Sequence, residues 1–164
     1  MNCRLLSASL AILAIVASCS PAKSATNFKN NFSEYEIVSK QQIKWEEIFL
    51  QEENNYIVFF YSETCSYCHH MLNEIVSFVN NEIIPTYFLN TSENEVTFSN
   101  NQEPVIRVDS IEELSIKGTP TIIEIDEGLV TANIAGLDEC LTYINDKRME
   151  TNIILWLHIG AFLC

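Results

Sequence analysis

Two cysteines, Cys65 and Cys68, have the spacing required for thiol–disulfide exchange. In that chemistry one thiolate attacks a partner's disulfide and forms a mixed disulfide, which a second cysteine then resolves. The C-x-x-C spacing suits this role because one helical turn brings both sulfurs within bonding distance. We therefore predict that Cys65 is the exposed attacking nucleophile and that Cys68, turned under the helix, is the resolving cysteine.

Three other kinds of site also use a C-x-x-C pair. A structural disulfide is disfavoured, because closing so short a loop removes little entropy from the unfolded chain. His69 and His70 follow the pair, but no second pair of Cys or His residues stands at zinc-finger spacing. A zinc site is therefore disfavoured. Residues 65–69 also fit C-x-x-C-H, the signature of covalent haem attachment, so haem remains an alternative to redox catalysis.

The dithiol lies between a predicted strand and a predicted helix. Tyr56 to Tyr61 is a run of β-branched and aromatic residues, which predicts a short buried strand. A helix running to about Asn81 is indicated by apolar residues at helical spacing, namely Met71, Leu72, Ile75, Val76 and Val79. Thr64 is its predicted N-cap. A helix N-terminus favours a thiolate and lowers the cysteine pKa, so chemistry is expected at this position.

The segments on either side of this unit predict further elements. Tyr35 to Ser39 is predicted to be a first short strand, and Ile43 to Gln51 an amphipathic helix with Trp45 in the core. After the dithiol helix, Thr86 to Leu89 predicts a second central strand. Glu93 to Glu103 is polar and Asn-rich, which predicts a loop or a loosely formed helix.

The region that follows is predicted to be mainly extended. Val105 to Val108 is a short extended piece, and an S-x-x-E capping box predicts a short helix over Ile111 to Ile116. Two β-rich runs, Thr121 to Ile125 and Leu129 to Ile134, are joined by Asp-Glu-Gly, which indicates a tight hairpin.

The chain closes with a predicted helix and an apolar tail. The helix covers Leu137 to about Asp146, with Asp138 as N-cap and with Leu137, Leu141 and Ile144 on its inner face. Cys140 lies among these apolar residues, so we expect an inert, buried thiol. Residues 149–164 form a tail whose apolar part is too short to span a membrane. We assign it no role.

The order of these elements resembles that of the thioredoxin-like proteins. A strand leads to C-x-x-C at a helix start, and Gly118-Thr119-Pro120 precedes a hairpin and a last helix. The resemblance covers residues 34–148 and implies an α/β, three-layer fold with a central mixed sheet flanked by helices and a C-terminal β-hairpin and helix. It also implies a cis Thr119-Pro120 bond in a loop that faces the dithiol, with the Thr119 backbone pairing with the substrate chain. Thr119 and Pro120 are therefore predicted substrate-binding residues.

The active-site segment departs from thioredoxin itself. No Trp precedes Cys65, no Gly-Pro separates the cysteines, and the buried acid that assists proton transfer in thioredoxin would fall near Phe59. Proton transfer must then rely on water, Glu63 or His69. A protonated imidazole at His69 would also lower the pKa of Cys65. Tyr67, between the cysteines, is a further candidate modulator.

The N-terminus has the features of an export signal. Residues 1–18 begin with a positive charge followed by an apolar stretch, Leu5 to Ala17, that is short for a membrane span. The stretch ends in V-A-S-C, which resembles a bacterial lipobox and implies lipidation of Cys19. The alternatives are a plain secretory peptide cut nearby and an uncleaved anchor. Residues 19–33 would then tether the domain to the outer side of the cell membrane, where disulfides persist.

The composition narrows the class of partner. The chain has 22 acidic and 9 basic residues and a net charge of −13, which argues against nucleic acid or anionic lipid headgroups as the main partner. We predict a monomer, without a cofactor, that acts on disulfide- or thiol-containing exported proteins or peptides. In layout it is most similar to small Gram-positive thioredoxin-like and bacteriocin-accessory proteins. A non-catalytic accessory or binding module on the same frame is the alternative.

Overall fold

A computed structural model of the chain describes residues 31–32, 35–81, 83–100 and 103–161, the last of these for backbone only at 152 and 154–161. The predicted signal peptide, residues 1–18, and Cys19 lie outside the described residues. So does most of the predicted tether, residues 19–33.

Four strands form one mixed sheet in the order β2-β1-β3-β4. The elements are α1 (Glu36–Lys40), a 3-10 turn (Trp45–Glu47), β1 (Asn55–Tyr61), α2 (Ser66–Asn80), β2 (Thr86–Asn90), β3 (Thr121–Asp126), β4 (Leu129–Ala135) and α3 (Leu137–Ala161). Strand β1 runs parallel to β2 and antiparallel to β3, and β3 pairs antiparallel with β4. Strand β1 is therefore interior, with a hydrogen-bonded neighbour on each side.

Strand β1 contributes to two apolar clusters, one on each face of the sheet. On the first face, Ile57, Phe59 and Tyr61 pack with residues of α2 and with Ile144 of α3. On the opposite face, alternate β1 residues pack against the segment around the 3-10 turn and against the chain between β2 and β3. From Tyr56 onward every residue of β1 is buried, which explains why its sequence is continuously apolar rather than alternating.

The predicted fold class is confirmed. Strand β1, helix α2, the β3–β4 hairpin and the start of the closing helix lie where the sequence predicts them, around a mixed sheet flanked by helices. The hairpin turn has positive φ at Glu127 (50°) and at Gly128 (79°), the backbone that tight hairpins require.

Two predictions near the N-terminal side of the domain are wrong. Residues 35–39 are not a strand but are largely helix α1, which buries Val38 in the cluster with α2. The edge of β2 is instead contacted by a single parallel bridge between Gln42 and Phe88. The helix predicted over 43–51 shrinks to the 3-10 turn, although Trp45 is buried as expected.

Three predictions between β2 and β3 need correction. The strand over 86–89 forms, but as β2 it lies at the edge of the sheet rather than in its centre. Residues 111–116 are not a helix: residues 111–113 make a turn, and Ile116 pairs with Phe98 in an isolated bridge. The extended piece predicted over 105–108 is interrupted at Arg107, which has a φ of 61°. For residues 93–103 the sequence predicts a loop or a loosely formed helix, and the described part of this segment is a loop.

Helix α3 is longer than predicted. It begins at Leu137, so Asp138 belongs to its first turn and is not the N-cap, and it continues through the first part of the apolar tail to Ala161. Leu137 and Leu141 are partly buried against the core, and Ile144 is fully buried. Within the described part of the chain, no helix is both long and apolar enough to cross a membrane.

Candidate active site

Cys65 is the N-cap residue of α2. Its backbone is extended, with φ −82° and ψ 112°, and its Sγ accepts a hydrogen bond from the backbone N–H of Cys68 at 3.2 Å. The prediction that Thr64 is the N-cap is wrong, because the Thr64 hydroxyl lies 3.0 Å from Ser62 Oγ instead. The Cys65 sulfur itself therefore satisfies one of the free N–H groups at the start of the helix.

The two sulfurs of the dithiol differ in exposure. Cys65 is half-buried, whereas Cys68 is fully buried beside Met71 and Leu72 in the apolar cluster under α2. A partner's disulfide can approach only the first of the two. An attacking and a resolving cysteine need this difference in access. The assignment of these two roles to Cys65 and Cys68 remains a prediction.

The surroundings move the two pKa values in opposite directions. Burial raises the pKa of Cys65, but hydrogen bonds from the Cys68 thiol, the Thr119 side chain and the N–H groups of Cys68 and Tyr67 outweigh it, so the pKa lies below its ordinary value. Burial and the hydrogen bond to Cys65 raise the pKa of Cys68 to about 12. Cys65 is thus the readily ionised member of the pair, and Cys68 keeps its proton.

The loop at Gly118-Thr119-Pro120 faces the dithiol. Its Thr119-Pro120 peptide bond is cis, as the resemblance implies. Cys65 Sγ lies 3.3 Å from the carbonyl oxygen of Thr119, to which the thiol donates. Thr119 is half-buried and Pro120 is buried. The structure therefore brings the Thr119 carbonyl to the Cys65 sulfur and places Pro120 next to it in the loop.

The three candidate modulators occupy different positions around the sulfur. The His69 ring Nε2 lies 2.7 Å from the backbone carbonyl oxygen of Glu63. The backbone N–H of His69 donates to the backbone carbonyl of Cys65. His69 thus joins the first turn of α2 to the turn before Cys65. Tyr67 is 60% exposed beside the dithiol, where it can contact a partner.

The position of the acid found in thioredoxin itself carries no titratable group. Phe59 is fully buried, with its ring centroid 5.7 Å from that of Phe32 and 6.1 Å from that of Phe88. An apolar ring at this place cannot accept or release a proton.

Hydroxyl groups beside the dithiol were not singled out from the sequence. Ser62 Oγ lies 3.0 Å from Ser92 Oγ, and the Thr91 N–H donates to the Tyr61 carbonyl at 2.8 Å. These bonds join the turn before Cys65 to the loop after β2. The available signal was that both segments follow neighbouring parallel strands, whose carboxyl ends meet at one edge of the sheet.

The zinc and haem alternatives do not fit this geometry. Among the described residues, no group of three or more His, Cys, Asp and Glu side chains is placed to hold a metal ion. Covalent haem needs both sulfurs accessible and the His69 ring free to coordinate iron. Cys68 is fully buried, and the His69 Nε2 is held by the Glu63 carbonyl.

A sequence model of the thioredoxin-like domain family matches residues 45–138, more than half of the chain. The match includes the dithiol, the Thr119-Pro120 loop and the start of α3. No curated protein matches the chain.

Several solved structures are similar to this chain. Thioredoxin f2 from Chlamydomonas reinhardtii is 20% identical with a TM-score of 0.44, covering 64% of this chain and 93% of its own. The reduced Schistosoma mansoni thioredoxin pre-protein is 15% identical with a TM-score of 0.49, covering 67% and 95%. A thioredoxin-fold protein from Helicobacter pylori is 19% identical with a TM-score of 0.41, covering 68% and 74%. Because these identities are low, the family assignment comes from the sequence model.

Proposed function

The chain belongs to the thioredoxin-like domain family, and on this basis we propose that it is a thiol–disulfide oxidoreductase acting through Cys65 and Cys68. The observation that carries the proposal is the environment of Cys65 Sγ, which accepts from the Cys68 N–H at 3.2 Å and lies 3.3 Å from the Thr119 carbonyl. The bond from the Cys68 N–H helps to lower the pKa of this half-buried sulfur, which lies beside a second thiol that keeps its proton.

The reduction of a partner proceeds in two exchanges. The Cys65 thiolate attacks one sulfur of the partner's disulfide, the S–S bond breaks, and the departing partner sulfur takes up a proton. Cys68 then loses its proton and attacks Cys65 Sγ, which forms the Cys65–Cys68 disulfide and releases the second partner thiol. Two electrons pass from the dithiol to the partner. Oxidation of a partner is the reverse sequence, and the reduction potential sets the direction.

The proton of Cys68 needs an acceptor in the second exchange. The thiolate of the departing partner lies next to the reacting sulfurs and can take this proton directly or through water. Glu63 and His69 are the side chains of the active-site turn that can assist, since Phe59 cannot. Thr119 and Pro120 would bind the partner's backbone beside Cys65, and the exposed Tyr67 ring would contact it from the other side.

We place this activity outside the cytoplasm. The signal in residues 1–18 and the lipobox ending at Cys19 support a lipid-anchored protein at the outer face of the cell membrane, with residues 19–33 as a tether. Its partners would be exported proteins or peptides that carry disulfides or thiols, in a compartment where disulfides persist. In layout such a protein would resemble the small Gram-positive thioredoxin-like and bacteriocin-accessory proteins.

The experiment that tests the proposal is trapping. In the full chain, Cys68→Ser removes the resolving thiol, so mixed disulfides through Cys65 should accumulate and disappear on reduction with dithiothreitol. The double variant Cys65→Ser/Cys68→Ser is the matched control and should give none. The wild-type protein should also exchange disulfides with glutathione. If Cys68→Ser gives no adducts and the wild type shows no exchange with glutathione, the proposal is untenable.

A further inference from the structure

Asn133 is a polar side chain buried at an apolar cluster. It lies on β4 opposite Ile123 of β3 and is 9% exposed. Directly opposed residues of antiparallel strands point to the same face of the sheet, so Asn133 shares its face with Ile123 and the apolar cluster to which Ile123 belongs. An amide buried in such surroundings costs free energy unless its hydrogens are bonded. Whether this residue stabilises the fold therefore depends on its hydrogen-bond acceptors.

Both acceptors of the Asn133 amide belong to the β2–β3 connection, residues 91–120. The Nδ2 atom lies 3.0 Å from the Val105 oxygen and 3.0 Å from the Ser115 oxygen. An amide NH2 group has two hydrogens, so both donors are used. One side chain thus joins two separate points of the connection to the same position on β4.

These bonds set the position of the connection along β4. Leu114 and Ile116, on either side of Ser115, are buried in the same apolar cluster. Apolar burial is non-directional, so it holds this part of the chain on the sheet without fixing where along β4 it lies. The backbone N–H and oxygen of Ile116 bond within the connection itself, to residues 97–99. The Asn133 amide supplies a directional link from this part of the connection to the strand.

The Thr119-Pro120 loop follows directly on this anchored part of the connection. Between Ile116 and Thr119 lie residues 117–118. On its other side the loop passes into β3, which is held by its pairing with β1 and β4. The far end of the loop is thus fixed by the sheet, whereas the near end depends on the connection. A shift of the connection along β4 would displace Thr119 from its place beside the Cys65 sulfur.

We propose that Asn133 is a positioning residue, which fixes the connection on β4 and thereby keeps the Thr119-Pro120 loop where it can receive a partner's backbone. The inference rests on the proposed function, in which this loop binds the partner beside Cys65. It gives a reason for a polar residue at this buried position of β4. A leucine would suit the apolar cluster, but it would leave the oxygens of Val105 and Ser115 without these donors.

The test compares a disulfide attached to a peptide with a disulfide that has no backbone. Each probe is a mixed disulfide with pyridine-2-thiol, one on the cysteine of a short acetylated and amidated peptide, the other on mercaptoethanol. In the reduced full chain, the Cys65 thiolate attacks the non-pyridyl sulfur, the S–S bond breaks, and the pyridyl sulfur leaves with the electron pair and is protonated as pyridine-2-thione.

The absorbance of pyridine-2-thione gives the two rate constants. Release from the Cys65→Ser form of each chain reports the other cysteines and is subtracted. Because the peptide probe alone has a backbone for the loop to receive, the ratio of its rate constant to that of the small probe reports on the position of the loop. A change in the ionisation of Cys65 alters both rate constants together, as does a smaller folded fraction, and both effects cancel in the ratio.

Asn133→Leu should lower this ratio. Leucine fits the cluster but donates to neither carbonyl, so the loop loses its place, and the ratio should fall by about three- to tenfold. Asn133→Ser has a shorter side chain with a single hydrogen, which cannot serve both oxygens. It should lower the ratio as well, and it serves if Asn133→Leu does not fold.

Thr86→Val is the matched control for the loss of a buried hydrogen bond. Thr86 is 1% exposed at the start of β2, and its hydroxyl donates to the Ile84 oxygen at 2.9 Å. This end of the parallel β1–β2 pair is the one away from the dithiol. The variant should lose stability and keep the wild-type ratio.

Hydrogen exchange followed by mass spectrometry gives a second readout, which involves no thiol chemistry. Asn133→Leu, or Asn133→Ser in its place, should speed exchange in peptides that cover residues 105–118, because this part of the connection is no longer held on β4. Thr86→Val should leave the exchange of these peptides unchanged.

An unchanged ratio in the Asn133 variants, or an equal fall in Thr86→Val, would overturn the inference. So would unchanged hydrogen exchange over residues 105–118 in the Asn133 variants. Release of pyridine-2-thione needs neither Cys68 nor a natural partner. A lowered ratio in a protein that gives no trapped adducts and no glutathione exchange therefore refutes the proposed function alone, whereas exchange with an unchanged ratio refutes this inference alone.

Discussion

Three cysteines in the described part of the chain show how far the surroundings change one side chain. Cys65 lies at a helix start, where backbone N–H groups support its thiolate. Cys68 and Cys140 are fully buried, and burial is the largest cause of their raised pKa values. The distinction between a reactive thiol and two protonated ones thus comes from solvation and hydrogen bonding, because the residue type is the same.

The raised pKa of Cys140 makes the stability of the reduced protein depend on pH. The thiol ionises near 9.0 in the unfolded chain and near 12 in the folded one, so the folded state binds more protons between these values. This contribution is complete below pH 9 and is lost as the pH rises through this window, by up to about 1.4 kcal/mol per pH unit.

Urea unfolding of the reduced protein at a series of alkaline pH values measures this loss. The free energy of unfolding of the wild type should fall more steeply with pH than that of Cys140→Ser, whose hydroxyl does not titrate there. Parallel curves for the two proteins would show that the buried thiol is not linked to folding in this way.

At the level of elements, the hairpin turn between β3 and β4 offers a simple test. Glu127 adopts a φ of 50° although a glutamate disfavours it, whereas Gly128 adopts 79° without strain. Glu127→Asn should stabilise the protein by about 0.5 kcal/mol, because asparagine tolerates this region. Gly128→Ala, at the neighbouring position, should destabilise it by about 1 kcal/mol. Urea denaturation checks both, and a Glu127→Asn protein no more stable than wild type would contradict the turn assignment.

Elements whose signal is local could be predicted from the sequence. Strand β1, helix α2 and the hairpin have long apolar runs or specific turn residues, and they form as predicted. Residues 35–39 and 111–116 are short segments, and their conformation depends on distant partners. Val38 is buried against α2, and Ile116 pairs with Phe98. Propensity over so few residues is too weak to outweigh such contacts.

The candidate site divides in the same way. Cys65, Cys68 and the Thr119-Pro120 loop are recognisable from motifs and their order. The cap made by Cys65 itself, the Ser62–Ser92 contact and the bonds of Cys140 to the loop depend on where separate segments meet. The sequence predicts that Cys140 is buried, which is confirmed, but the carbonyl that it faces depends on where the start of α3 packs.

At the scale of the whole molecule, the strand order brings the parts of the site together at one end of the strands, the end where β1 finishes. Strand β1 delivers the dithiol at its carboxyl end. Because β3 is antiparallel to β1, its first residue, Thr121, pairs with Phe60 near that same end. The loop preceding β3 is thereby carried to the dithiol, and the parallel neighbour β2 ends there too. Residues far apart in the chain meet because of this arrangement alone.

The proposed membrane anchor is also a property of the whole molecule. In a bacterial host, the wild-type chain should incorporate a labelled fatty acid and sediment with membranes, since lipidation at Cys19 supplies the hydrophobic anchor. Cys19→Ala should lose the label and leave the membrane fraction. Cys3→Ala, a cysteine within the proposed signal, is the matched control and should behave as the wild type. Equal labelling of Cys19→Ala would exclude the lipobox assignment.

The burial of Cys140 behind the loop also makes it a built-in probe of local motion. A bulky thiol reagent can reach its sulfur only when the start of α3 separates from the loop, much as an amide exchanges its hydrogen only on opening. When opening and closing are faster than labelling, the labelling rate of Cys140 divided by the labelling rate of an exposed thiol gives the population of the open form. Measured with the dithiol oxidised or reduced, this rate would report how strongly the redox state of one side of the loop governs opening on the other.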